Sequence, residues 1–356
     1  DQNGICDHCN NYYKNILPKW KKIQNNETEL YKNINKIKRH GKNSEYDCLI
    51  GISGGVDSSY LTYLAKEVFK LRPLIFHVDG GWNSQQAVNN IENLVNKLDL
   101  DLYTEVINWS EMKDLQLAFF KAQVPTLDTP QDHAFFSSMY NFAVKNKIKY
   151  ILTGANYSTE CIREPLEWNY HTSDLSQLKD IHRRFGKIPL SKFPTSDILT
   201  YKVYYRIFKG IRVFSPLNYV EFNKEKAIEK LEKKFDWQKY EHKHYESRFT
   251  KFYEGYWLCE KFGFDKRKAH FSSLILTNQM TRDEALKKLS KPAYDKNTIK
   301  DEFSYIASKL DITFDELQKI MNGEKRSYKN YKNKSFVLSV GTYLSRMFGL
   351  YRGIIR

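Results

Sequence analysis

Residues 46–52 (Tyr-Asp-Cys-Leu-Ile-Gly-Ile) form a short, apolar, β-rich run that passes straight into Ser53-Gly-Gly-Val-Asp57-Ser58 and then into a helical stretch from Ser58 to about Phe69. Strand, glycine turn and helix in immediate succession fix how the backbone bends, and no other feature constrains the chain as strongly. Gly54 and Gly55 remove the Cβ atoms that would block close approach, so successive N–H groups can point at phosphate oxygens. The helix starting at Ser58 adds its positive N-terminal end. Ser53 and Ser58 supply hydroxyls, and Asp57 is placed to hold Mg²⁺ beside a polyphosphate. The plainer alternative is a glycine-rich turn with no ligand. The loop lacks the Gly-Lys-Ser/Thr ending of a Walker loop, which disfavours γ-phosphate transfer.

The alternation continues downstream. Residues 73–79 (PLIFHVD) read as a second buried strand, 84–98 as a helix and 102–107 as a third strand. A helix over about 131–146 then leads to a fourth strand, 150–153 (YILT), which stops at Gly154. This pattern predicts an α/β fold, a doubly wound parallel sheet with helices on both faces and ligands bound beyond the carboxyl ends of its strands. After about residue 200 the strand signal fades. Helical periodicity predicts helices over 224–234, 247–262, 281–289, 298–310 and 313–321. Thr281-Arg-Asp-Glu284 and Thr313-Phe-Asp-Glu316 have capping-box spacing. Three parts are expected: an N-terminal Cys-pair segment and helix (1–40), a phosphate-loop domain (41–220) and a helical C-terminal region with a basic tail (221–356).

Composition narrows the class. A chain of 356 residues with 41% hydrophobic and 15% aromatic residues can fill a sizeable core and is not disordered. No apolar run reaches the roughly 18 residues that span a bilayer, and no secretory signal opens the chain, so a cytoplasmic location is expected. The chain begins at Asp1 rather than Met, which predicts a longer gene product. Its net charge of +15 favours polyanionic partners: nucleic acid, a nucleotide-linked substrate or an anionic membrane face. Five cysteines, an odd number with one close pair, argue against a disulfide framework.

Two further clusters point beyond nucleotide binding. In Pro125-Thr-Leu-Asp128-Thr-Pro130-Gln-Asp132-His133, two prolines fix the directions of two Asp and one His; a plain Pro-kinked loop capped by Asp132 is the alternative. The second cluster is Lys243-His244-Tyr-Glu246-Ser247-Arg248-Phe249-Thr250-Lys251-Phe252, with Asp265-Lys266-Arg267 downstream. Lys243, His244, Arg248, Lys266 and Arg267 could gather over the negative charge of a phosphoryl transition state, with Glu246 close to His244. A solvated charged face is the alternative.

The hexapeptide at 53–58 resembles the PP-loop of the ATP pyrophosphatases, the adenine nucleotide alpha hydrolase-like superfamily whose members cleave ATP between its α and β phosphates. That resemblance implies that Gly51 to Ser58 cradle pyrophosphate. His77 and Asp79 would border the adenosine, Gly154 and Asn156 would close its other side, and Glu160 would join Asp57 on Mg²⁺. With Gly4-Ile-Cys6-Asp-His-Cys9, the DTPQDH segment, Trp168, the KHYESRFTKF run and FDKRKAH, the chain is similar nearly throughout to the N-acetyl sugar amidotransferase family of bacterial surface-polysaccharide and flagellin-glycan biosynthesis.

The family likeness implies a reaction. An N-acetyl amide oxygen of a nucleotide-linked sugar attacks the α-phosphate of ATP, and ammonia then displaces AMP from the O-adenylyl imidate to leave an acetamidino group. Asp57, Asp132, His133, Lys243, His244, Glu246, Arg248, Lys266 and Arg267 are the implied catalytic set, with Asp128, Trp168 and Lys251 on the substrate. No glutaminase signature occurs in the chain, so the resemblance also implies ammonia-supplying glutaminase and cyclase-like subunits resembling imidazole-glycerol-phosphate synthase. The basic stretch from Lys325 to Arg356 could dock them or could be a closing amphipathic helix.

Cys6 and Cys9 have the spacing of two zinc ligands, and the family pattern places another Cys pair upstream, so a structural Zn²⁺ is expected. His8 is a further candidate ligand. The competing function is tRNA thiolation, which would need a persulfide-bearing cysteine or an iron–sulfur cluster near the nucleotide; Cys161 is the candidate there. Nucleic acid is otherwise disfavoured as a partner.

Overall fold

A computed structural model describes residues 2, 4–241 and 243–340. Five parallel strands, β1 (Cys48–Gly51), β2 (Pro73–Asp79), β3 (Leu102–Val106), β4 (Tyr150–Leu152) and β5 (Arg212–Phe214), form one sheet in the order β3-β2-β1-β4-β5. Their alternating side chains supply two cores. Leu49, Leu74, Phe76, Val78 and Ile151 enter one with Phe119 and Phe120, while Cys48, Ile50, Ile75, Tyr150 and Leu152 enter the other with Ile34, Ile37, Leu61 and Leu94. Both faces are therefore covered by helices, which is why these strands read as continuous apolar runs.

The four strands expected from the sequence are present. The fifth was not expected: β5 has three residues, begins with Arg212 and is only half-buried, so it carries no alternation to detect. Its pairing with β4 defines it. The helix Gln85–Leu98 is capped by Ser84, and the capping boxes at Thr281 and Thr313 both form. The stretch expected to be helical over 247–262 is a short α-helix, Arg248–Phe252, capped by Ser247 and continued in wider π-helical winding over Tyr253–Phe262. Among the described residues no helix is long and apolar enough to cross a membrane.

The C-terminal helices share the sheet's own core. Phe249 packs against Trp82 (5.1 Å) and Phe120 (5.9 Å), and Trp257 also meets Phe120 at 4.7 Å. Beside these rings the backbone of 246–248 lies along 82–84: Ser84 N–H donates to Glu246 O (2.9 Å) and Arg248 N–H to Trp82 O (2.9 Å). The Trp237 indole N–H donates to Gly54 O at 3.0 Å. Together these contacts lay the segment around residue 243 over the carboxyl ends of β1 and β4.

Truncating Phe249, which is fully buried, should cost about 3–5 kcal/mol of unfolding free energy. Denaturant titration of Phe249→Ala checks this; a loss below about 1 kcal/mol would mean that the rings do not hold the two regions together.

Candidate functional site

Between β1 and the helix Val56–Tyr63, the loop requires glycine at 54, which sits at φ +85° and where a Cβ would lie 2.8 Å from Ala87 O; at Gly55 the nearest atom to a Cβ is the movable Glu246 carboxylate. Ser53 Oγ accepts from Gly55 N–H (3.3 Å), and Ser58 Oγ donates to Gly55 O (3.3 Å). The loop is thus pre-bent at the positive end of an eight-residue helix. Glu246 stands over it, its carboxyl pKa raised by burial and tempered by His244.

Gly154, just past β4, lets that loop touch the phosphate-loop helix: a Cβ would come within 2.8 Å of the Asp57 carbonyl carbon and 2.9 Å of Ser58 N. Asn156, fully buried, donates to Asp57 Oδ1 (3.3 Å) and Gly154 O (3.0 Å) while accepting from Thr159 N–H (2.9 Å). Lys243 Nζ reaches both carboxylates, Asp57 Oδ2 at 3.3 Å and Glu160 Oε1 at 2.5 Å. Burial works against this ammonium, but Glu160 and Asp57 outweigh it and hold its pKa above the ordinary lysine value. Lys224, at the start of the helix Lys224–Phe235, is lowered by burial, with Asp57 opposing and Lys243 adding to the effect.

These side chains wall a cavity of about 320 Å³ over the loop, and Glu160, Lys224, Lys243 and His244 also line an adjoining cavity of about 1310 Å³. The second volume exceeds the usual range for a single drug-sized ligand. His244, at φ +67°, places Nδ1 3.2 Å from Glu254 Oε2; Lys266 Nζ lies 2.8 Å from Glu254 Oε1 and 3.4 Å from Glu164 Oε2. Burial opposes the Glu254 carboxylate, yet Lys266 and His244 bring its pKa well below the usual range. His244 is raised in turn, Glu254 overcoming its burial. Burial, then Asp132 and Glu254, push the Asp128 carboxyl up to about 8, so near neutrality it is largely a hydrogen-bond donor. It accepts from Gln131 Nε2 (3.0 Å) and Thr250 Oγ1 (3.3 Å).

His133 is buried with both ring nitrogens engaged, Nδ1 with Thr172 O (2.8 Å) and Nε2 with Ser196 N–H (3.2 Å); burial lowers its pKa, so it is a neutral ring pinned in one tautomer. His270, on the helix Arg267–Leu276, lines the larger cavity, and its buried Nε2 has no hydrogen-bond partner among the described residues. Burial and the cations of Lys224, Lys243 and His244 push its pKa well below the ordinary value, so it is held as the neutral ring. Neither Lys224 nor His270 is assigned a role from the sequence: Lys224 looks like a helix-surface lysine, and His270 ends the FDKRKAH run with only Lys266 and Arg267 singled out there.

The remaining candidates are dispersed. Arg267 lines the larger cavity but is held by Asp265 (2.7 Å). Arg248, Lys251 and Trp168 line neither cavity: Arg248 pairs with Glu302 (2.9 Å) over the Tyr305 ring, Lys251 is exposed, and Trp168 stacks on Phe264. Asp128 is the N-cap of the helix Thr129–Lys145 and Asp132 lies in its first turn; neither lines a cavity. His77 is bound between Ile52 O and Asn83, and Asp79 accepts from Gly81 N–H, so both shape the turn after β2 rather than the loop cavity. Asp57 and Glu160 are the hard oxygen donors that suit Mg²⁺, which typically takes one or two carboxylates plus phosphate oxygens. Cys6 Sγ accepts from Cys9 N–H (3.5 Å), but among the described residues no group of three His, Cys, Asp or Glu forms a metal site. Two thiolates alone do not make a structural zinc centre. Residues 341–356 of the basic stretch lie outside the described residues.

Residues 246–345 match the family described as LPS biosynthesis protein WbpG-like, C-terminal domain, and residues 29–163 match NAD synthase. Uncharacterized protein MJ1599 of Methanocaldococcus jannaschii is 32% identical over 98 residues, 28% of this chain and 33% of that protein. The chain therefore spans about a third of that relative's length. Among solved structures, NMN synthetase from Francisella tularensis is similar at 19% identity and TM-score 0.34, over 59% of this chain and 71% of that one. NH3-dependent NAD synthetase from Campylobacter jejuni, in complex with the nitrate ion, has 15% identity and TM-score 0.33 over 86% and 97%. The U34-tRNA thiolase NcsA from Methanococcus maripaludis, with its [4Fe-4S] cluster, has 12% and 0.33 over 85% and 82%.

Because Asp128 holds its proton in the folded chain up to about pH 8 but releases it near 4 when unfolded, the folded state binds the extra proton. Stability from this group is complete below pH 4 and is lost as pH rises towards 8, by roughly 1.4 kcal/mol per pH unit at most. Asp128→Asn should flatten the decline in unfolding free energy between pH 5 and 8 relative to the parent; parallel curves would refute a raised pKa.

Proposed function

We propose that the chain, whose residues 29–163 match NAD synthase and 246–345 the WbpG-like C-terminal domain, is an ATP-dependent amidotransferase of the PP-loop ATP pyrophosphatase class. It would convert an N-acetyl group of a nucleotide-linked sugar into an acetamidino group in lipopolysaccharide O-antigen or flagellin-glycan biosynthesis. The observation that carries the reading is the pair of joined cavities: a small one on the phosphate loop, and a larger one beyond the Lys243–Glu160 wall with room for a second substrate.

The sugar's amide oxygen attacks the α-phosphorus, the bond to the β-phosphate breaks, and pyrophosphate leaves towards the N–H groups of 54–58. Mg²⁺, held by Asp57 and Glu160, would neutralise charge on the leaving group. Lys243, beside these two carboxylates, and Lys224, which also lines the cavity, would add positive charge there. Protonated Asp128 and the Glu254, His244 and Lys266 network would orient the sugar end. Ammonia then adds to the imidate carbon, loses a proton, and AMP departs with the C–O electron pair. An amide carbonyl is a poor electrophile; adenylylation supplies it with a leaving group. The ammonia would come from glutaminase and cyclase-like subunits.

The alternative, tRNA thiolation, needs a thiolate at the site. Cys161 is buried, and burial pushes its thiol up to about 11, which disfavours that chemistry.

Incubating candidate nucleotide sugars with ATP, Mg²⁺ and ammonium should yield a product whose mass reflects exchange of O for NH, with AMP formed in equal amount. Lys243→Met should lower this turnover roughly 10²–10³-fold, whereas Cys161→Ser should retain it. Loss of activity in Cys161→Ser, or no mass change with any N-acetyl sugar, would overturn the proposal.

A further inference from the structure

The helix Thr200–Phe208, between the larger cavity and β5, presents an apolar face that nothing among the described residues covers. It is anchored from beneath: Tyr205 is buried and donates to Asn141 Oδ1 (2.5 Å), and Tyr140 donates to the Tyr201 hydroxyl (3.0 Å). On the outer side Leu199 is 61% exposed, Ile207 70% and Phe208 78%, with Val203 and Tyr204 also exposed. A second segment approaches the same helix: Lys334 Nζ lies 3.9 Å from Asp197 Oδ2, and Phe336 (79%) and Val337 (58%), two and three residues on, are also exposed. Such a concentration of large exposed apolar side chains is not ordinary surface.

The charges around it are mainly of one sign. Residues 198–220 contain Lys202, Arg206, Lys209 and Arg212 and no Asp or Glu, and residues 325–340 contain five Lys or Arg and again no acid; the bordering acids Asp197 and Glu324 are paired with Lys334 and Arg326. Apolar side chains on a helix face, flanked by an excess of cations, are the pattern that enters the headgroup region of an anionic bilayer. We propose that this face docks the enzyme on an anionic membrane surface, with Leu199, Ile207, Phe208 and Phe336 inserted and the flanking Lys and Arg on lipid phosphates. Ile198, Tyr201 and Leu338 line the larger cavity, so docking sets its wall close to the headgroups. This inference does not depend on the reaction proposed above.

The test is co-sedimentation of the full chain with phosphatidylcholine vesicles, with and without phosphatidylglycerol. The expected result is binding only to the anionic vesicles, weakened by salt, with roughly tenfold lower partitioning for Ile207→Ser/Phe208→Ser. A similar loss is expected for Arg206→Gln/Lys209→Gln, and both variants should melt with the parent. Equal binding of parent and variants, or no binding by the parent, overturns the proposal. If Ile207→Ser/Phe208→Ser instead abolishes self-association in sedimentation velocity, a second copy covers the face. If it lowers the melting temperature, the chain's own tail does. Either result also overturns the proposal.

Discussion

The Lys243 ammonium ties together three stretches of chain that are distant in sequence. It touches Asp57 in the phosphate-loop helix and Glu160 after β4, and it is itself carried by the segment laid over them from the C-terminal region. In so enclosed a place an uncompensated charge would cost several kcal/mol, and removing one partner of such a group is typically worth 3–5 kcal/mol. The charge is therefore an assembly constraint as much as a chemical one. It holds only if the β4 loop can approach the helix, which the missing Cβ of Gly154 permits, and only if the C-terminal segment is anchored, which Phe249 and the Trp237 bond to Gly54 provide.

The same economy of charge runs through the larger cavity. Glu254 is shared between His244 and Lys266, and Lys266 also meets Glu164, so most charges there have a partner. Asp128 departs from this pattern by keeping its proton, as does His270 by staying neutral. Of the two, His270 lines the larger cavity and Asp128 lies behind it, against the network of Glu254, Lys266 and His244; titratable groups with shifted pKa values cluster at functional sites.

Much of this architecture was legible in the sequence because it is local. Four strands, the glycine loop and the Thr-x-x-Glu caps are each written within a few residues. What escaped was non-local or too short. Three residues of β5 show no period and exist as a strand only through β4. Lys224 looks like any residue of a charged helix until Asp57 and Lys243 are found against it. Arg248 sits inside a cluster rich in titratable groups, yet its guanidinium turns to Glu302, a partner 54 residues away that no local pattern reveals. The clustering of titratable groups at 243–246 suggests a place over the phosphate loop, but the Trp82, Phe120 and Phe249 packing that brings the segment there is non-local.

The account stands on the loop at 53–58 receiving the β and γ phosphates together, so that ATP breaks at its α-phosphate. Phosphorus NMR of the nucleotide products, with sugar substrate and ammonium present, reads this directly. AMP and pyrophosphate in equal amounts are the expected result; ADP and orthophosphate would contradict the account, whatever happened to the sugar.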